Sequence, residues 1–182
     1  MFIVNIFNVI VKPLLVTILF LLVAGCSTKY ENKKIIGELF PAVTGNNLED
    51  KAFSFPTDFS GKKVLFLIGY VQDAQFDIDR WLIGLDMTKT EVEAYELPAI
   101  QGMFPRMFEA TINQGMRNGI PKFLWKGVIT IFEDGERLQE FTGNINPNNA
   151  RVILLDENGK ILFFDDIGFS VPALNKLRAE LK

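Results

Sequence analysis

The residues that could do chemistry in this chain are few, and their types limit the reactions open to it. Its 182 residues include one cysteine, Cys26, and no histidine. Thiols and imidazoles supply many protein nucleophiles, general bases and zinc ligands. A single thiol cannot form an internal disulfide or a CxxC redox pair. If Cys26 is itself modified, cysteine nucleophiles, histidine-based triads and His/Cys metal sites are all excluded.

The residues around Cys26 indicate that its thiol is modified. Pro13 to Gly25 is apolar apart from Thr17, has the length of the hydrophobic region of a signal peptide, and ends in small residues just before the cysteine. A polar segment follows. This arrangement resembles the lipobox of bacterial lipoproteins. The resemblance implies cleavage between Gly25 and Cys26, a diacylglycerol on the thiol, and acylation of the new amino terminus, so that lipid on Cys26 anchors the protein to a membrane.

The alternative for this segment is an uncleaved anchor helix over Phe2 to Ala24, with Lys12 in its middle as the objection. For the lipoprotein, we expect a position in the cell envelope, facing the periplasm or the outside. Ser27 is not the acidic residue that retains many lipoproteins at the inner membrane. In a cell with two membranes, the outer membrane is therefore favoured.

Length and composition predict one folded domain behind the anchor. We expect residues 1–25 to be the signal peptide, 26–35 a lipidated tether and 36–182 a single domain. Hydrophobic residues make up 48% of the chain, which allows an ordinary core without disulfides. The formal net charge of −3 gives no electrostatic basis for nucleic-acid binding. No cofactor is predicted, and no metal, because the strand-face pair Glu91 and Glu93 has no third ligand nearby.

The hydrophobic pattern predicts alternating strands and helices, which indicates an α/β domain with a mixed sheet. Strands are expected at Lys63–Gly69, Thr90–Leu97, Gly127–Phe132, Arg151–Leu155 and Lys160–Phe164. Helices are expected after Asp73 as the N-cap, over Phe104–Met116, and over Val171–Leu181. Asn158-Gly159 between two apolar runs predicts a tight hairpin turn, because both residues tolerate positive φ.

Two stretches of this pattern resemble the redoxin group of thioredoxin-like proteins. Near the start, a Gly and a Pro precede a short hairpin and a Gly-Lys pair leads into the first central strand; near the end, an Asp-x-x-Gly-Lys-Ile element forms the closing hairpin. The matching residues are Gly37, Pro41, Gly61, Lys62, Asp156, Gly159, Lys160 and Ile161. The resemblance implies a thioredoxin-like fold, in which helices flank a central mixed sheet, with an N-terminal hairpin extension.

The chain departs from this group at the active site. An ungapped comparison places Asp73 and Phe76 where a CxxC pair would lie, and Asn149-Ala150 where a cis-proline would lie. Neither Asp73 nor Phe76 can perform thiol chemistry, and a cis peptide is rare without proline. The cysteine-poor pattern is similar to the mitochondrial ATP-synthase assembly factor with a thioredoxin-like domain, and to periplasmic redoxin-like proteins of unknown role. The first resemblance implies a chaperone-like partner rather than an oxidoreductase.

We therefore expect a non-catalytic lipoprotein that binds, scaffolds or assembles another envelope protein, and not an enzyme. The alternative is a redoxin-fold enzyme with a non-thiol site around Tyr70, Gln72 and Asp73. In the binding hypothesis, the contact surface combines those three residues with Asn146 and Asn149. Trp125, in the loop 118–126, is a further candidate contact.

The remaining side chains are expected to have structural roles. Asp77 and Asp79 are predicted to lie on a solvated helix face, Asp165-Asp166 in a turn, and Arg106 and Arg117 on the solvated side of the second helix. Most apolar side chains in the middle of the chain are predicted to be core residues. They are Met103, Phe104, Phe108, Phe123, Leu124 and Trp125.

Overall fold

The computed structural model describes residues 28–182, so Gly25, Cys26 and the predicted signal peptide lie outside the described residues. The strands are β1 (Val43–Asn47), β2 (Ala52–Phe55), β3 (Val64–Gly69), β4 (Glu93–Pro98), β5 (Ile129–Thr130), β6 (Arg151–Leu155) and β7 (Ile161–Asp165). The α-helices are α1 (Gln75–Met87), α2 (Met103–Met107), α3 (Glu109–Gly119), α4 (Gly135–Thr142) and α5 (Val171–Glu180). Short 3-10 helices occupy Thr57–Phe59, Gln72–Ala74 and Lys122–Gly127.

The central sheet has four strands in the order β4-β3-β6-β7. β3 and β4 are parallel, with Val64 opposite Glu93, whereas β6 is antiparallel to both β3 and β7. Helices cover this mixed sheet, which confirms the expected thioredoxin-like architecture. A second, three-stranded sheet, β2-β1-β5, contains the predicted N-terminal hairpin. Isolated bridges from Glu96 and Ala99 to residues beside β5 connect the two sheets.

The apolar run of β3 is buried on both faces of the sheet, as predicted. Alternate residues of a strand point to opposite faces. Val64, Phe66 and Ile68 therefore belong to one core cluster, and Leu65 and Leu67 belong to the other. All five are completely buried. Helices α1 and α5 cover the second face, whereas the hairpin and α4 cover the first.

An aromatic cluster fixes the hairpin to the first face of the sheet. Phe59 packs between its neighbours, with its ring centroid 4.9 Å from that of Phe55 and 5.1 Å from that of Phe66. Phe40 adds a further tilted contact with Phe66 at 5.3 Å. Aromatic pairs in such geometries contribute about 0.5–1.5 kcal/mol beyond the burial of their area. The high phenylalanine content, 17 residues, thus serves partly to attach the extension.

Three sequence-based helix predictions need correction. The predicted helix over 104–116 is two helices, α2 and α3, and α3 continues to Gly119, three residues past the predicted end. Helix α4 was not predicted at all. The first long helix, α1, has Ala74 rather than Asp73 at its N-cap, with no side-chain capping bond.

The predicted hairpin turn between β6 and β7 is present, but with a different backbone from the one expected. Of its two central residues, only Gly159 has positive φ, +82°. The Asp156 carboxylate accepts hydrogen bonds from the N–H groups of Asn158 and Lys160, both at 2.8 Å, which stabilises the turn. A Cβ added to Gly159 would also lie 2.7 Å from the ring of Pro56. Glycine is therefore required here for both its conformation and its size.

The described part of the predicted tether is attached to the domain. Asn144 and Tyr30 exchange backbone and side-chain hydrogen bonds, with Tyr30 N–H 2.7 Å from the Asn144 Oδ1. Asn32 Oδ1 accepts from the N–H of Ile145 at 3.0 Å. Any Cβ on Gly143, at φ +83°, would collide with the backbone of Asn32. We refer to residues 28–34 as the strap, because hydrogen bonds hold this segment against the rest of the domain.

The described residues contain neither a membrane-spanning helix nor a cluster of metal ligands. No helix within residues 28–182 has the length and hydropathy needed to cross a membrane. In the same residues, no three His, Cys, Asp or Glu side chains are grouped closely enough to hold a metal ion.

Candidate functional site

The first part of the site is the loop that follows β3, where redoxins resembling this chain have their cysteines. After Gly69, the chain forms the 3-10 helix Gln72–Ala74 and then enters α1. Gln72, Asp73 and Phe76 are exposed. Phe76 is 70% exposed, which is unusual for a large apolar residue on a helix that packs against the sheet.

Tyr70, in the same loop, points inward. It is 8% exposed, and its hydroxyl lies 2.5 Å from Thr142 Oγ1 and 3.3 Å from the Leu138 carbonyl oxygen. Burial raises the pKa of Tyr70 well above its usual value. The predicted contact surface is therefore corrected at this residue: Tyr70 is part of the core and is not available to a partner.

Asp77 is the residue that connects the two halves of the site. It is 4% exposed, which corrects the prediction of a solvated position; its neighbour Asp79 is exposed, as predicted. Asp77 Oδ2 accepts from the N–H of Ala150 at 2.9 Å, and Oδ1 accepts from the N–H of Phe169 at 2.8 Å. Ala150 stands at the cis-proline position of the redoxin resemblance, and unlike proline it has an N–H that needs an acceptor. Asp77 supplies that acceptor.

The second part of the site is the turn before β6, which Arg151 organises from inside. This arginine is completely buried. Its guanidinium donates to the carbonyl oxygens of Ile145 at 2.7 Å, Asn149 at 2.8 Å and Asn146 at 3.0 Å. It also lies over the Tyr70 ring, 5.2 Å from the centroid. A buried guanidinium needs such a set of acceptors, so the turn has one stable shape around it.

The loop and the turn meet at a groove of about 920 Å³. The expected proximity of the two segments is confirmed, because Asp73 and Phe76 from the loop and Asn149 from the turn all line it. Asn149 donates to the Asp166 carbonyl oxygen at 3.1 Å, which joins the turn to the end of β7. The groove is also lined by Ile36, Asp77, Arg80 and Asn148, and the rest of the lining comes from β7, α5 and the segment between them. These residues include Leu162, Phe163, Phe164, Asp165, Ile167, Gly168, Phe169, Pro172, Ala173 and Lys176.

The groove lining combines apolar side chains with polar and charged ones. Ile167 is 82% exposed and stands beside the turn formed by Asp165, whose carboxylate accepts from the N–H groups of Ile167 and Gly168, both at 3.2 Å. The turn predicted at Asp165-Asp166 is thus confirmed. Burial raises the pKa of Asp165, and the two backbone N–H groups oppose that effect.

The other predicted contact residues lie in different surroundings. Asn146 is exposed, with positive φ of +59°, and lies outside the groove lining, as does Gln72. Trp125 is half-buried, and its indole N–H donates to the Ile120 carbonyl oxygen at 2.8 Å. Because Tyr70 is buried while Gln72 and Asp73 are exposed, the three residues do not converge on one non-thiol site.

The predicted apolar core in the middle of the chain is wrong. Five of its six members are exposed: Met103 (77%), Phe104 (72%), Phe108 (45%), Phe123 (75%) and Leu124 (47%). Arg117, predicted to be solvated, instead donates to the Leu48 carbonyl oxygen at 2.8 Å and pairs with Asp50 at 2.5 Å. Arg106 is exposed, as expected, and pairs with Glu133 at 3.4 Å. Glu91 and Glu93 are exposed too, as expected.

Sequence reasoning missed Asp77 and Arg151 as residues of the site. One signal was available for each. Arg151 is the only charged residue in an otherwise apolar strand, and such a residue is seldom placed in a core without acceptors. Asp77 could be suspected once Ala150 was recognised in the place of a proline, because the additional N–H has to be satisfied.

Comparison with solved structures identifies the fold. The thioredoxin domain of a thiol-disulfide oxidoreductase from Bacteroides vulgatus matches with 18% identity over 82% of this chain and 100% of that chain, at a TM-score of 0.53. The pneumococcal exposed lipoprotein thioredoxin of Streptococcus pneumoniae matches with 14% identity over 78% and 100%, at 0.54. A thiol peroxidase from Chromobacterium violaceum matches with 12% identity over 86% and 93%, at 0.57. The chain therefore has a thioredoxin-like fold. Neither the family models nor the curated proteins contain a match.

Proposed function

We propose that this protein is a lipoprotein of the bacterial cell envelope whose thioredoxin-like domain binds an extended segment of a partner protein, without thiol chemistry. The observation that carries the proposal is the groove. It lies where redoxins act on their substrates, and it is bordered by Asp73, Phe76 and Asn149 instead of cysteines and a cis-proline. The binding surface of the fold is retained, while the only thiol of the chain is at Cys26.

The strand β7 supports an extended ligand. It is the last strand of the central sheet, and within residues 28–182 its outer side is paired only near Ile161, which exchanges hydrogen bonds with Gly37 and Glu38. Four consecutive residues of β7, 162–165, line the groove. Because consecutive strand residues point to opposite faces, a groove that touches all four runs along the edge. An extended peptide can add to such an edge through main-chain hydrogen bonds.

The groove walls support a ligand with apolar side chains. The large exposed apolar residues of the lining are Phe76, Ile167 and Ile36, at 70%, 82% and 62% exposure. Asp73, Arg80 and Lys176 supply charges of both signs. Exposed aromatic and aliphatic side chains next to charged ones are common in protein-binding surfaces.

The membrane anchor rests on the sequence around Cys26. The apolar segment, the small residues and the single cysteine together favour lipidation. The pneumococcal structural neighbour is itself named an exposed lipoprotein, so a thioredoxin-like domain is compatible with such an anchor. The intact mass of membrane-extracted protein tests this part. A mature chain that begins at acylated Cys26 is expected, and a mass that still includes residues 1–25 without acyl groups would contradict it.

Site-specific photo-crosslinking tests the binding surface. A benzophenone amino acid placed at Phe76 or Ile167 of the full-length protein in its native envelope should capture the same partner. The matched control is Met87, which is also on α1 and 78% exposed but lies 11 residues, about 16 Å, from Phe76. Phe76→Lys and Ile167→Lys should each lower capture at the other position at least ten-fold without changing the unfolding midpoint. Equal capture from Met87 would refute the assignment of the groove.

A turnover assay tests the absence of thiol chemistry. The domain over residues 28–182 should reduce neither insulin disulfides nor peroxides, because it contains no cysteine. Measurable turnover would overturn the non-catalytic part of the proposal while leaving the crosslinking result intact.

A further inference from the structure

The segment between β4 and β5 exposes apolar side chains instead of burying them. We call residues 102–127 the arm; it contains α2, α3 and the 3-10 helix Lys122–Gly127. Asn113 is its only buried residue, and the Oδ1 of that residue has no hydrogen-bond partner among the described residues. Six large apolar side chains of the arm are between 45% and 77% exposed. They are Met103, Phe104, Met107, Phe108, Phe123 and Leu124.

Helices this short need a surface to pack against. Isolated helices below about 12–15 residues are marginal in water, and most helix stability in proteins comes from the packing of an apolar face. Helix α2 has 5 residues and α3 has 11. The rings of Phe104 and Phe108 pack on each other, with centroids 4.8 Å apart, yet both remain exposed, at 72% and 45%. Exposed apolar patches of this kind mark interaction surfaces.

The charge of the arm is opposite to that of the whole chain. It carries Arg106, Arg117, Lys122 and Lys126 against one acidic residue, Glu109, whereas the complete sequence has a formal net charge of −3. Arg106 and Arg117 form ion pairs with Glu133 and Asp50, so Lys122 and Lys126 are the cations that face a ligand. Lys122 and Lys126 are exposed and flank Phe123-Leu124-Trp125. Aromatic and aliphatic side chains beside lysines are typical of segments that lie in the headgroup region of an anionic bilayer.

The strap leads from the predicted anchor to the base of the arm. The Tyr30 hydroxyl donates to Glu136 Oε1 at 2.8 Å, and the Gln101 amide reaches the same oxygen at 3.5 Å. Gln101 directly precedes the arm. The strap is hydrogen-bonded to the domain from Thr28 onward, where the Thr28 carbonyl oxygen accepts from the Asn144 side-chain amide at 2.8 Å. Only Ser27 lies between Cys26 and Thr28, so the two residues are at most about 7 Å apart.

We propose that the arm lies in the headgroup region of an anionic bilayer and gives the domain a second membrane contact beside its N-terminal anchor. The inference rests on the membrane attachment in the proposed function, but not on the partner in the groove. Both sequence interpretations of the N-terminal segment, lipidated Cys26 and uncleaved helix, place a membrane surface close to Thr28. The cationic charge of the arm identifies anionic lipid as the component it contacts.

The native tryptophans allow a direct test. Trp125 is in the arm, whereas Trp81 is completely buried in the core. Full-length protein is reconstituted into phosphatidylglycerol/phosphatidylcholine vesicles whose acyl chains are brominated close to the headgroup, and quenching of tryptophan fluorescence is measured. Quenching is expected, and Trp125→Phe should abolish it. The double variant Phe123→Ser/Leu124→Ser should reduce quenching at least two-fold, whereas Met87→Ser, an equally exposed change outside the arm, should not.

The outcomes separate the arm from the anchor. Wild-type protein that floats with vesicles but shows no quenching of Trp125 overturns the arm contact and leaves the anchor in place. Failure of the wild type to float overturns both. If sedimentation instead shows a dimer that the double variant dissociates, a second copy covers the arm and the bilayer proposal is wrong. Quenching that falls at least two-fold in purely phosphatidylcholine vesicles supports anionic lipid as the ligand, and equal quenching there refutes that choice.

Discussion

Replacing Asp77 by asparagine tests how the groove is held together. The carboxylate is 4% exposed and uses both oxygens, one for the N–H of Ala150 at 2.9 Å and the other for the N–H of Phe169 at 2.8 Å. Asparagine has the same shape but only one acceptor. In either orientation of its amide, one backbone N–H therefore faces an NH₂ group and loses its partner.

The expected cost follows from these two bonds. A hydrogen bond to a charged group contributes about 1.5–3 kcal/mol, and one such bond is lost. The other bond becomes a neutral one of roughly half the strength. Asp77→Asn should therefore lower the free energy of unfolding by about 2–4 kcal/mol. With a urea m-value in the usual range of about 1–3 kcal/mol per M, the midpoint should fall by ~1–2 M.

Urea unfolding of residues 28–182, followed by tryptophan fluorescence, provides the assay. Trp81 packs edge-on against Phe163 and Phe169, so its emission reports on the core next to the groove. Asp79→Asn is the matched control, because Asp79 is exposed on the same helix and its carboxylate accepts a hydrogen bond from the Gln75 amide at 3.0 Å. It should change stability by less than about 0.5 kcal/mol. Equal midpoints for the two variants would show that Asp77 does not hold the site together.

Three further predictions concern stability. Gly61 has φ +86° and open space around it, so Gly61→Ala should lower the free energy of unfolding by about 1–2 kcal/mol. Gly159→Ala should lower it by at least about 1 kcal/mol more, because the added Cβ meets the Pro56 ring. Equal urea midpoints for the two variants would refute the contact with Pro56. Burial raises the pKa of Glu96, so ionisation of this carboxyl destabilises the folded state as pH rises above the usual glutamate pKa of 4.5. Glu96→Gln should therefore gain stability relative to wild type between about pH 4 and pH 7, and a pH-independent difference in stability would contradict this. Tyr70→Phe removes the buried hydrogen bond between the Tyr70 hydroxyl and Thr142 and should lower the free energy of unfolding by about 1–2 kcal/mol. An unchanged thermal midpoint would argue against that bond.

The sequence pattern was informative wherever burial follows from local composition. The run over β3 is apolar at every position, so any sheet that contains it must cover both its faces. The turn at Asn158-Gly159 was equally readable, since few residues accept the positive φ that a tight hairpin requires. These features, with the alternation of strands and helices, predicted an α/β domain with a mixed sheet, and the resemblance to redoxins implied the thioredoxin-like architecture.

The pattern misled where polar residues are buried or apolar residues exposed. Helix α4 buries Leu138, Gln139 and Thr142 at helical spacing, but two of these three are polar, so no apolar stripe was visible. In the arm the opposite error occurred, because apolar residues that were predicted to be buried are exposed. Phe104 and Phe123 have the composition of core residues, yet the topology places their segment outside the two core clusters of the domain.

The sequence by itself therefore determined the fold class, the double burial of β3, the closing hairpin and the absence of cysteine and histidine from residues 28–182. Only the tertiary structure decided which side chains form the site. The N–H groups that make Asp77 a buried acceptor come from residues 73 and 92 positions away along the chain. Propensity and periodicity act over a few residues, whereas a buried carboxylate is stable only if distant backbone donors reach it. That condition is set by the packing of α1 against β6 and the segment before α5.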